Sequence, residues 1–134
     1  MKTKDKGDRA VAQAIAYYTD KGDQVLLPFG DRQKYDLVVD DGIAFRKVQC
    51  KYSSVIKNSG TFEVSLRTMG GNQSFHTATK YKAGDFDLLF AMLSDGRKYE
   101  IPASICLDRN SITLGGNLYS EFEIMRCCVS GKTA

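Results

Sequence analysis

Tryptophan is absent from the 134 residues, proline occurs twice and histidine once. Without tryptophan, and with Tyr17, Tyr18 and Tyr52 too clustered to form a stacking ladder, a single-strand nucleic-acid groove is disfavoured. Two prolines and 12 glycines exclude collagen-like and low-complexity chains. No apolar run approaches the ~20 residues of a membrane helix, and the start MKTKDKGDR is too polar for a signal peptide. A soluble protein of the cytoplasm, with no membrane partner, is therefore expected. The spacing C-x-x-C is also missing. Cys50, Cys106, Cys127 and Cys128 offer no zinc or redox pair, and neighbours in an extended strand point to opposite faces. Four reduced thiols behaving as small hydrophobes are expected. His76 has no cysteine near it in sequence and reads as a loop residue or DNA contact.

What is present suits one globular unit. The chain is 43% hydrophobic and 26% charged, and its length is that of a single domain, 1–134. The net charge of +3 is unevenly spread: residues 1–82 carry 14 Lys and Arg against 9 Asp and Glu, and the remainder 5 against 7. A basic face suits an anionic partner.

Asp8, Val11, Ala12, Ile15 and Thr19 recur at helical spacing, predicting a helix over about 5–18 with Asp5 as N-cap and a stop at Lys21-Gly22-Asp23. On this reading Asp8 sits on the buried stripe, which is costly unless it is paired or coordinates an ion. Gln24–Phe29 reads as a short buried strand. Tyr35–Asp40 and Ala44–Tyr52 read as a hairpin across Asp41-Gly42. Thr61–Arg67 alternates as a strand, Met69–Ser74 is a polar loop, and 74–83 suggests a short helix. Phe86–Leu93 and Arg97–Ile101 pair across Ser94-Asp95-Gly96, Pro102–Cys106 forms a helical turn, and 111–129 has no clear period. The order is that of an α+β domain built on one mixed sheet.

A two-residue turn at Asp41-Gly42 sets Asp36 opposite Lys47 and diagonal to Gln49. Lys47, Gln49 and Lys51 then share one sheet face with Asp36, while Leu37, Val39, Val48 and Cys50 supply core. An acid beside a Gln-x-Lys pair is what metal-dependent phosphodiester hydrolysis needs. Hard oxygen ligands hold Mg²⁺ (or Mn²⁺), and a lysine positions water or offsets charge on phosphorus. Asp8 would add a second carboxylate. The plainer alternatives are a cross-strand Asp36–Lys47 ion pair, a solvated Gln49/Lys51 face and a first-turn Asp8 favoured by the helix dipole. Glu63 reads as part of a solvated face more readily than as a displaced catalytic acid.

The ordered set K6-G7-D8, Y35-D36-L37-V38-V39-D40 and V48-Q49-C50-K51 resembles the core of PD-(D/E)XK nucleases. It is most similar to the cyanobacterial group I intron homing endonucleases, with echoes at Tyr81–Asp87 and Tyr99–Pro102. The resemblance implies an αβββαβ core, Asp36 as the metal-binding acid, Lys51 as the catalytic lysine and the Cys50 carbonyl as a further ligand. Gln49 stands where most of the superfamily has Glu or Asp. Val11 stands where related nucleases have Glu, so Asp8, one turn earlier, is the candidate replacement.

Arg67, Asn72, Gln73 and Ser74 carry side chains suited to base edges, and Lys47, Lys57, Lys80 and Lys82, with Lys2, Lys4 and Lys6, suit phosphates. A domain this small needs a homo-oligomer, dimer or tetramer, to cut both strands of a long site. The sequence therefore suggests a Mg²⁺-dependent, site-specific double-strand DNA endonuclease acting on an intronless host gene. Its rivals are a Holliday-junction resolvase, a DNA-binding module with a decayed site and a protein-interaction domain.

Overall fold

The computed structural model describes residues 2–69 and 78–125. Helix α1 spans Thr3–Asp20 and buries Ala10, Ala14 and Tyr18. Two alanines on the inward face let the helix lie close to the sheet, and the wider Val11 and Ile15 flank that contact. The stripe is thus rotated from the one the sequence suggests. Asp8, placed on that buried stripe, is exposed, so no burial cost has to be offset. Asp5 is not the N-cap but a first-turn acid; the cap position is Lys2, with no capping side chain. The helix stops as expected. Gly22, at φ 93, donates to the Thr19 carbonyl and Asp23 donates to that of Tyr18, closing the last turn in a form that favours glycine.

Strands β1 (Gln24–Leu26), β2 (Leu37–Asp40) and β3 (Phe45–Ser53) form an antiparallel meander. β1 is shorter than expected and is an edge strand, not a buried one. Leu27 and Phe29 beyond it are exposed, because Pro28 ends the ladder. Across the hairpin, Leu37 pairs with Val48 and Asp40 with Phe45, so the connection is the four residues 41–44. The Asp41 carboxylate accepts the backbone N–H of Ile43 at 2.8 Å and of Ala44 at 2.9 Å and binds Arg46, and Gly42 takes φ 89. This loop shifts the pairing by two residues. Lys47 pairs with Val38, not Asp36, and a two-residue slip preserves which face each side chain occupies.

From β3 the chain passes through β4 (Phe62–Ser65), β5 (Arg67–Met69) and β6 (Ala78–Lys80) before entering β7 (Leu88–Leu93), which pairs parallel with β3. The helix suggested over 74–83 is a strand at Ala78–Lys80. β5 and β6 form a two-stranded ribbon whose first rung joins Arg67 to Lys80. β8 (Lys98–Pro102) completes the sheet order β1-β2-β3-β7-β8. α2 (Ala103–Cys106) follows, then β9 (Ser111–Leu114), which pairs with β4, and a 3₁₀ turn at Ser120–Phe122. No helix among the described residues is long and apolar enough to cross a membrane.

Strand β7 is buried on both faces, which explains why LLFAML is continuously apolar and does not alternate. Phe90 and Met92 face α1 together with Val48 and Cys50. Leu89, Ala91 and Leu93 face β4, β9 and Tyr81 on the other side. Cys50 and Cys106 are free and buried; Cys127 and Cys128 lie outside the described residues.

Candidate active site

The hairpin brings the acid and the Gln-x-Lys pair together. The Asp36 N–H donates to the Val48 carbonyl, and its Oδ2 accepts the Cys50 N–H at 2.8 Å. One carboxylate oxygen is thereby fixed to the strand that carries Gln49 and Lys51. Cys50 turns its thiol into the α1 core, so only its carbonyl is available to a ligand. The Gln49 amide nitrogen lies 3.5 Å from that carbonyl. Lys51 donates to the Arg67 carbonyl at 3.0 Å, and its ammonium stands 5.5 Å from the centre of the Tyr81 ring.

Burial governs the charges here. Desolvation raises the pKa of Asp36, opposed by the Cys50 N–H and the charge of Lys51. Desolvation lowers that of Lys51, opposed by Asp36. For both groups burial outweighs the partner's charge, so each stays shifted toward its neutral form. The Cys50 thiol is pushed well up, by burial and by Asp36, and stays protonated.

Asp36 also borders a groove of about 350 Å³ with Val11, Leu27, Pro28, Asp31, Gln33 and Tyr35. Asp8 is one helical turn before Val11, on that edge of α1. Among the described residues no three His, Cys, Asp or Glu side chains converge on one point. A divalent ion at this site would therefore meet one carboxylate supplemented by the amide oxygen of Gln49 and the carbonyl of Cys50. That donor set is hard and oxygen-only, which fits Mg²⁺ in kind, and poor in charge.

The candidate DNA contacts are scattered. Lys47 bonds the Gly84 carbonyl and lies over the Tyr35 ring; its backbone N–H binds Asp87. Lys57 reaches Thr113 at 3.2 Å and Glu63 at 3.8 Å, so Glu63 belongs to a surface ion pair. Lys80 is 3.8 Å from Asp108, and the Arg67 guanidinium donates to the Ala78 carbonyl within the ribbon. Lys82 is exposed, as are Lys2 and Lys4, and Lys6 donates to Ser54. Asn72, Gln73, Ser74 and His76 lie outside the described residues. Tyr81 enters the sequence pattern only as part of an echo of the family; its contact with Lys51 crosses 30 positions and leaves no trace in local periodicity.

Two comparisons identify the fold and the family. The structure is similar to that of the bacterial homing endonuclease I-Ssp6803I, with a TM-score of 0.75, 31% identity, and coverage of 90% of this chain and 82% of the other. No curated protein sequence matches the chain. The profile of the PD-(D/E)XK endonuclease family matches residues 1–114. The chain belongs to the PD-(D/E)XK endonuclease family and is a DNA endonuclease, a hydrolase of phosphodiester bonds.

Proposed function

We propose that the protein is a Mg²⁺-dependent (or Mn²⁺-dependent), site-specific double-strand DNA endonuclease of the intron-homing type, active as a homo-oligomer on an intronless host gene. The observation that carries this reading is the fixed Asp36 carboxylate beside Lys51 on one hairpin face. The likeness to a homing endonuclease at 31% identity supports the homing class over other nucleases.

Asp36, Gln49 and the Cys50 carbonyl would hold the ion, which supplies Lewis acidity toward a phosphate oxygen and toward water. Asp36 is oriented for this by the Cys50 N–H, leaving Oδ1 to face outward. Lys51 supplies a positive charge that steers the scissile phosphate into place and offsets charge gathering on it as the bond breaks. Asp8, exposed on α1 one turn before Val11, is the second carboxylate assigned to help. Lys57, Lys80, Lys82 and Lys47 serve the duplex backbone, while Arg67, Asn72 and Gln73 read bases. Phe29, Ile43 and Phe45 are exposed apolar side chains that association of copies would cover.

The test is cleavage of a library of duplex sites with Mg²⁺ by the native protein and by Lys51→Ala. Discrete cuts at one site, at least about a hundredfold slower in the variant, are expected. Sequence-independent cutting of four-way junctions would replace the homing reading with a resolvase. Intact DNA with either metal would defeat the metal-dependent reading altogether. Light scattering of the native protein reports its oligomeric state.

A further inference from the structure

Lys51 is held by parts of the chain other than the hairpin that carries Asp36. Its ammonium donates to the carbonyl of Arg67, the first residue of β5, at 3.0 Å. It also stands 5.5 Å from the centroid of Tyr81, the residue immediately after β6. Arg67 and Lys80 form the closing rung of the ribbon, so carbonyl and ring occupy its two feet. Tyr81 cannot swing away: it is 2% exposed, meets Phe86 edge-on with centroids 4.9 Å apart, and its carbonyl accepts the Asp108 N–H. An ammonium over an aromatic face is attracted by the ring quadrupole, and the attraction strengthens as water is excluded. One of the three ammonium hydrogens is spent on the Arg67 carbonyl, and two are left for other partners.

We propose that the Tyr81 ring, with the Arg67 carbonyl, is the seat that sets the reach of Lys51, making Tyr81 a positioning residue for DNA cleavage. The role belongs to the face of the ring and not to its hydroxyl. It rests on the assignment of Lys51 above, so its test has one arm that needs no cleavage.

In that arm, the Lys51 ε-methylene protons are observed by NMR in the free protein. An upfield ring-current shift is expected in the native chain and in Tyr81→Phe, and its loss in Tyr81→Leu. A native Lys51 signal at its random-coil position overturns the seat. The upfield shift in a protein that cuts no DNA leaves the seat standing and removes the nuclease reading.

In the second arm, single-turnover cleavage is compared with duplex affinity measured without divalent metal. Tyr81→Leu is expected to cut about tenfold more slowly with affinity unchanged within about twofold, and Tyr81→Phe to recover most of that loss. Because Tyr81 is a core residue, mono-, di- and trifluorophenylalanine at position 81 replace the Leu variant if it fails to fold. They keep the ring's shape while draining its face, so the rate should fall stepwise with fluorine count. Equal rates across the fluorinated series, or a Phe variant as slow as Leu, would overturn the proposal.

Discussion

At the scale of single residues, charge is the scarce quantity in this site. Asp36 is the one carboxylate the hairpin fixes there, and the amide of Gln49 ligates without neutralising a dication. Restoring the charge is therefore informative. Gln49→Glu should tighten Mg²⁺ binding by about tenfold, read by calorimetric titration with Lys51→Ala as background to prevent turnover. An unchanged affinity would place the ion away from position 49. Lys51 and Asp36 also illustrate what a sequence can say about a site. Both were legible, since the two-residue period of β3 puts Gln49 and Lys51 on one face whatever the loop length. The seat under Lys51 was not, because its parts are a backbone carbonyl and a ring brought in by a separate ribbon.

Elements bring their own constraints. The β2–β3 connection is organised by one partly exposed carboxylate, Asp41, whose pKa falls to about 2. The Ala44 N–H, the Ile43 N–H and then Arg46 are the causes, in that order. A folded-state pKa below the ordinary 3.8 means the ionised form favours folding. That contribution is complete above about pH 5 and is lost as pH falls through about 2. Asp41→Ala should accordingly lower the thermal midpoint at pH 7, and the gap to the native protein should narrow from about pH 5 downward and be smallest below pH 2. A constant gap over that range would remove the electrostatic account. This loop also explains the misjudged register, because Asp-Gly alone signals a two-residue turn while the carboxylate builds a wider one. The rotation of α1 has a similar origin. Apolar periodicity weights Val11 and Ile15, but close approach to a sheet selects the small Ala10 and Ala14.

Across the whole molecule, a single sheet separates two apolar layers. Phe90 belongs to the α1 layer and Leu89 to the layer under β4 and β9. Both are fully buried, and they are consecutive in one strand. Phe90→Ala should cost about 3–5 kcal/mol and Leu89→Ala about 2–5 kcal/mol. Urea unfolding followed by far- and near-ultraviolet circular dichroism should show coincident transitions in both variants. Separate transitions would mean that the layers are not coupled through β7. The overall α+β arrangement was legible from hydrophobic patterning, because the apolar runs are long and the turn signals strong. The pairing of β4 with β9, some 50 positions apart, was not.

The position of Gln49, Cys50 and Lys51 on β3 also bears on how such a chain can change over generations. Cys50 faces the α1 core and its two neighbours face the other side of the sheet, so losing or gaining one residue within β3 before Gln49 would turn Lys51 inward and Cys50 outward. Insertions and deletions are thereby barred from this strand, while substitutions remain open to it. Changes of length are left to the loops and the β5–β6 ribbon, where they reverse no face of β3. The feature that aligns the chemistry thus also determines where the gene can drift.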